Sequence, residues 1–268
     1  MASHRPPDPV LAWTTVIVPL VLFASVVGLV DPRPYAQETL NWALQARGQD
    51  LGNLIAVAVL VMAALRHRRG SVAAGLVWVG TLLYLVYAYL VYAFAVHLNA
   101  LFLVYVAVLG LSAWALLFTV PRLRAPVADF PVGPPVRAAG VTLIATGVLF
   151  ATLWLSELVP ALLSGTVPPS LTEAGLIVNP IHAIDLSMVL PGFVIAGTAA
   201  LSGRRHGLFW TAPWLCFSAL MGTSIVAAMI LLWASGFPNT LPPTIMVGVI
   251  VIVSTAVLGR FVRGVRGS

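Results

Sequence analysis

Seven polar side chains stand inside or beside long apolar runs: Asp50 and Asn53, His97 and Asn99, Glu157, His182 and Asp185. Polar groups are costly in lipid, so each calls for a partner or a purpose. His182 and Asp185 are three residues apart and share one helix face, with Met188 following at the same interval. Asp185 lies roughly 6–9 Å into its helix at 1.5 Å per residue. Three carboxylates, two imidazoles and two amides near one membrane surface form an acidic pocket suited to a proton, a metal ion or a small polar ligand. The same groups allow Asp185 or Glu157 to act as acid or base, with His182 as partner, on a lipid-linked substrate. The bland alternative is that Asp185 and His182 satisfy neighbouring hydroxyls and backbone while Glu157 is a solvated helix end. A lone H-x-x-D pair lacks the ligand count of a zinc site. Of the other histidines, His4, His67 and His206 accompany arginines and read as solvated.

Common catalytic signatures are missing from the sequence. There is no Walker A, H-E-x-x-H, G-x-S-x-G or Rossmann fingerprint, and no histidine set suited to haem. The chain has no lysine, which excludes a retinal Schiff base. Its single cysteine, Cys216, sits in an apolar run and reads as a packing residue.

The elements that must position these residues are membrane helices. Of 268 residues, 60% are hydrophobic and 8% charged, against about 25% charged in a soluble domain. Such a chain cannot clothe a water-facing surface, which argues against a soluble enzyme, a disordered protein or a nucleic-acid binder. Apolar runs at 10–30, 51–65, 72–96, 98–120, 138–160, 176–201, 207–234 and 244–259 predict an all-α polytopic transmembrane helical bundle of about eight spans. The first run is longer than a signal-peptide core and no A-x-A site follows, so it reads as a retained span. Tyr35–Arg47 reads as a short helix on the outer surface, closed by Gly48, with Trp42 at headgroup level. Leu51–Leu65 is short for a span and must be buried, thin the bilayer, or continue upward as a polar helix lining a cavity. Tyr89 and Tyr92 read as aromatic-belt residues, whereas Tyr84 and Tyr87 need partners inside the bundle. Pro191-Gly192 interrupts the sixth span, and Gly192, Ala196 and Ala200 form a small-residue stripe that turns Asp185 toward the bundle interior.

All 14 basic residues are arginine. Threaded with the N-terminus inside, twelve arginines and two acids fall on the inner side, two arginines and six acids on the outer, net +10 against −4. The positive-inside rule then places both termini in the cytoplasm. An arginine-rich, lysine-free composition suggests a GC-rich bacterial genome and a plasma-membrane location. The chain reads as one integral membrane domain. It has two halves, 10–120 and 138–263, joined by a Pro-rich cytoplasmic linker, 121–137. A shift of 136 residues aligns Ala63-Ala64-Leu65 with Ala199-Ala200-Leu201, Arg68-Arg69 with Arg204-Arg205, Trp78 with Trp214 and Arg124 with Arg260, as two parallel four-helix repeats would. The function expected is a transporter or ligand-binding membrane protein for a small polar solute, proton or metal ion. An intramembrane enzyme at the outer leaflet and a structural subunit of a larger complex are the alternatives. The expected partners are the bilayer, such a ligand, and a second subunit; cofactors are not legible.

Overall fold

The computed structural model describes residues 8–124 and 127–267. Arg5 and His4 lie outside them, as does the side chain of Arg124. Among the described residues, eight segments are long and apolar enough to cross a membrane. They are α1 (Pro9–Val30), α2 (Leu40–Arg68), α3 (Val72–Ala95), α4 (Phe102–Arg124), α5 (Pro134–Ser164), a broken sixth span, α9 (Arg205–Ala234) and α10 (Leu241–Val262). The sixth span consists of α7 (Pro180–Ile184), a π turn (Asp185–Val189) and α8 (Leu190–Leu201), and the short α6 (Pro169–Ala174) precedes it. A two-stranded antiparallel ribbon, β1 (Val127–Asp129) with β2 (Arg266–Gly267), ties the α4–α5 connection to the chain's last residues.

Helix starts follow local chemistry. Asp8, Thr39, Ser71 and Asn179 each accept a hydrogen bond from a first-turn backbone N–H, capping α1, α2, α3 and α7. Arginines gather at one end of the bundle, and Asp31, Glu38, Glu173 and the carboxylates of interest lie toward the other. Large apolar side chains such as Phe23, Leu103, Trp114, Met188 and Ile252 are exposed around the perimeter, as a lipid-facing surface requires.

The helices pack as two rings. In the first, α1 lies against α2 and α4, and α3 against the same two. In the second, α8 lies against α5 and α9, and α10 against the same two. The rings join where α9 packs on α2 and α3. Glycines make that seam close: a Cβ on Gly48 would collide with the backbone of Ala228, and one on Gly80 with that of Pro213.

Gly48 is therefore a crossing point, which corrects the reading of Tyr35–Arg47 as a separate surface helix. The helix runs unbroken for 29 residues from Leu40, so the short apolar run is extended by a polar segment. Trp42 does not sit among headgroups: it is buried, and its indole donates to the Ala95 carbonyl at 2.7 Å. The break in span six falls near the expected place. Pro191 has no N–H for the carbonyl four residues back, and the backbone slips into a wider turn in which the Leu190 N–H bonds the Asp185 carbonyl.

Candidate functional site

Asp50 and Asp185 occupy the two rings in opposite ways. Asp50 is 1% exposed, on α2. The Tyr35 hydroxyl donates to its Oδ2 at 2.7 Å and the Tyr92 hydroxyl to its Oδ1 at 2.9 Å. A Cβ on Gly28 of α1 would strike both that carboxylate and the Tyr35 hydroxyl, so the absence of a side chain there is what admits them. Tyr89, Tyr92 and Tyr105 interlock around the group, with ring centroids 4.9–6.1 Å apart. All three are buried. Tyr89 and Tyr92 thus belong to the interior, which corrects their assignment to an interfacial belt: the Asp50 carboxylate holds the Tyr92 hydroxyl, and the Tyr89 ring packs on Tyr92 and Tyr105. Burial and the neighbouring Asp50 carboxylate push the Tyr35 hydroxyl well above the usual phenol range.

A second polar knot lies where the rings meet. The Tyr84 hydroxyl accepts from Gln49 Nε2 at 2.5 Å, donates to Asn53 Oδ1 at 3.0 Å and lies 2.7 Å from Ser224 Oγ of α9. Asn53 is fully buried in this knot. Gln49 also lines a cavity of about 320 Å³ walled by α2, α3, α5, α7, α8, α9, α10 and the π turn.

Asp185 lines the same cavity at the start of the π turn and is 9% exposed. The Trp154 indole of α5 donates to its Oδ2 at 2.9 Å, and the Tyr87 hydroxyl comes near the carboxyl from α3. His182 is buried against the Trp154 ring, with centroids 4.6 Å apart. Its Nε2 lies 3.9 Å from Glu157 Oε2, too long for a hydrogen bond, and its Nδ1 has no partner. Glu157 is half-buried.

The chain matches no family model, no curated protein and no solved structure. The reading of this site rests on its own geometry.

That geometry divides the seven residues singled out above among separate places. Asp185, His182 and Glu157 come together. Asp50 is sealed in the first ring, and Asn53 is in the inter-ring knot. His97 is exposed, its ring Nδ1 and backbone N–H both 2.7–3.0 Å from Glu38 Oε1, while Asn99 bonds the turn backbone at the His97 carbonyl and the Leu101 N–H. Among the described residues, no group of three or more His, Cys, Asp or Glu side chains is placed to hold a metal ion. Sequence reasoning missed Trp154, Gln49, Tyr35 and Glu38, whereas Tyr87, expected to need a partner inside the bundle, is buried there beside Asp185. Trp154 carried a signal: it stands one helical turn before Glu157 and so shares its face. Nor is the cavity the polar pocket expected. Its walls are Val91, Phe150, Leu153, Val189, Leu190, Met229, Ile250 and similar side chains, with Asp185, Gln49, Gln45, Thr146, Ser218 and Ser224 among the few polar ones.

Proposed function

We propose that the protein is a transporter whose cargo is one small amphipathic solute. The apolar body of the solute fills the inter-ring cavity, and its polar head meets Asp185. The observation that carries this reading is the cavity itself: apolar walls, one carboxylate, and a volume at the lower end of the roughly 300–1,000 Å³ typical of small-molecule sites. Two features favour transport over a fixed receptor. The lining extends from Trp42 and Pro243, at the acidic ends of their helices, to Phe193 and Phe217, well inside theirs. It also borders a discontinuous helix, the arrangement that lets a transporter expose backbone to a ligand near the membrane midplane. An acid–base enzyme has less support, because His182 and Glu157 are not hydrogen-bonded to each other and Trp154 already engages one oxygen of the Asp185 carboxylate. The arginine asymmetry supports a plasma membrane of a bacterium, with the arginine-rich end and both termini in the cytoplasm.

The test is energy transfer from tryptophan to the neutral apolar dye N-phenyl-1-naphthylamine, with the protein in nanodiscs. Trp42 and Trp154 line the cavity, so transfer should saturate at one site per chain. It should disappear in Thr146→Phe/Met221→Phe, which fills the cavity from α5 and α9. Transfer that rises linearly with dye and is the same in both proteins would reflect partition into lipid and remove the cavity reading.

A further inference from the structure

The polar solute or metal ion expected from sequence does not suit walls this apolar, yet a purely hydrocarbon ligand would bring no counter-charge to Asp185. Burying an ionised carboxylate costs several kcal/mol unless a counter-charge or strong hydrogen bonds offset it. One indole donor and one nearby tyrosine hydroxyl are modest compensation. Among the described residues lining the cavity, Asp185 is the only carboxylate, and there is no arginine or histidine. His182 lies behind Trp154, outside the lining. With the cavity empty a proton can neutralise the carboxyl, and a bound cation can take that proton's place.

The rest of the lining identifies the kind of cation. Five helices direct aromatic rings to the space: Trp42 from α2, Tyr87 from α3, Phe150 and Trp154 from α5, Phe193 from α8 and Phe217 from α9. Ring faces attract a cation when it lies within about 6 Å, and more strongly when water is excluded. A hard, strongly hydrated ion such as sodium gains little here, because the lining offers few oxygen ligands to replace its shell. A bulky organic cation gains on every side, from apolar burial, ring faces and the carboxylate. Met221, Met229 and Met246 add unbranched, deformable walls that fit ligands of irregular shape.

We propose that the cavity is a site for a lipophilic organic cation, held with its charge toward Asp185 and its hydrophobic groups among the rings. This deepens the transport reading and rests on it. Glu157, one turn beyond Trp154 on α5, adds a second negative charge near the site.

An isosteric pair tests the proposal: tetraphenylphosphonium and tetraphenylborate, of like shape and opposite charge. Binding of each is measured by equilibrium dialysis against protein in phosphatidylglycerol nanodiscs, with empty nanodiscs subtracted. The cation should bind saturably and at least tenfold more tightly than the anion. Asp185→Asn should weaken the cation at least tenfold, while Asp185→Glu retains most of its affinity. Asp185→Asn should elute and unfold as the wild-type protein does, and the affinity kept in Asp185→Glu shows that charge rather than cavity shape was lost. Adding phosphatidylethanolamine distinguishes two sources of the same chemistry: unchanged cation affinity indicates a free solute, and competition indicates an aminated lipid headgroup. Equal binding of the two ions, or full cation affinity in Asp185→Asn, overturns the cation assignment yet leaves the cavity as a ligand site. Loss of neutral-dye binding in the wild-type protein as well would remove the underlying reading instead.

Discussion

The two rings each carry one aspartate on the second span, and the first helix of each ring decides its fate. In ring one, α1 presents Gly28, and the space it leaves is taken by the Asp50 carboxylate and the Tyr35 hydroxyl. In ring two, α5 presents Trp154, whose indole bonds Asp185 directly and whose ring also borders the cavity. Asp50 is a sealed structural centre, and Asp185 faces space. Numbering sharpens the contrast. The two aspartates are 135 residues apart, whereas Ala63-Ala64-Leu65 and Ala199-Ala200-Leu201 are 136 apart. One extra residue thus separates carboxylate from stripe in the second half, and the π turn at Asp185–Val189 lies in that interval. A π turn is how a helix absorbs such an excess, and these turns are frequent at functional sites. The lesson is that one carboxylate position can be sealed by packing or left facing open space, depending on what the helices facing it supply.

The contrast can be broken most severely at Asp50. Asp50→Ala removes the acceptor of two buried hydroxyls and opens a void. It should lower stability by about 2–5 kcal/mol, read as a fall in thermal unfolding temperature in detergent. Asp185→Ala, beside existing space, should cost less than half as much. Equal losses at the two positions would erase the distinction between a sealed and an open carboxylate.

Gly28→Ala probes the same seal from the other side. Its Cβ must displace Asp50 or Tyr35, an overpacking that costs about 1–3 kcal/mol. Unchanged stability would show that the tyrosine cage is loose.

Deleting Ser187 should return the π turn to an α-helix. The reading that the halves are copies predicts retained folding, loss of neutral-dye binding, and a closer superposition of the two rings about an axis along the membrane normal. A deletion variant that still binds the dye would separate the π turn from the site.

The smallest effect is expected at Asp31, where the exposed Arg33 guanidinium holds a half-buried carboxyl below the usual carboxylate range. A depressed value stabilises the fold above the unfolded carboxylate pKa near ~3.9, and that contribution is lost as pH falls through the folded value. Exposure screens it, so Asp31→Asn should leave the unfolding temperature at neutral pH unchanged and alter only the acid limb of its pH profile.

Much of the fold was legible because lipid imposes long apolar runs and the chain punctuates them with Pro, Gly and arginine clusters. The eight spans and the break at Pro191 followed from those marks. The polar start of α2 was legible only as one of three options for the short run Leu51–Leu65, and it is the option the structure takes; Gly48 reads as a helix stop unless one knows that α9 crosses there. Asp185 drew attention because a carboxylate within a span is costly, and its neighbours His182 and Glu157 came with it. Pairing between distant helices was hidden: nothing in the spacing brings Tyr35 to Asp50 or Trp154 to Asp185. The apolar character of the cavity was likewise invisible, because the residues lining it look the same in sequence as those facing lipid.

The most direct measurement of the difference between the two aspartates is their reactivity toward dicyclohexylcarbodiimide, an apolar reagent for buried carboxyl groups. Peptide mass spectrometry quantifies modification at each position in the membrane-embedded protein. The account predicts ready labelling of Asp185, protection of Asp185 by tetraphenylphosphonium, and little labelling of Asp50. Labelling of Asp50 at or above the level of Asp185, or an Asp185 inert to the reagent, would contradict it.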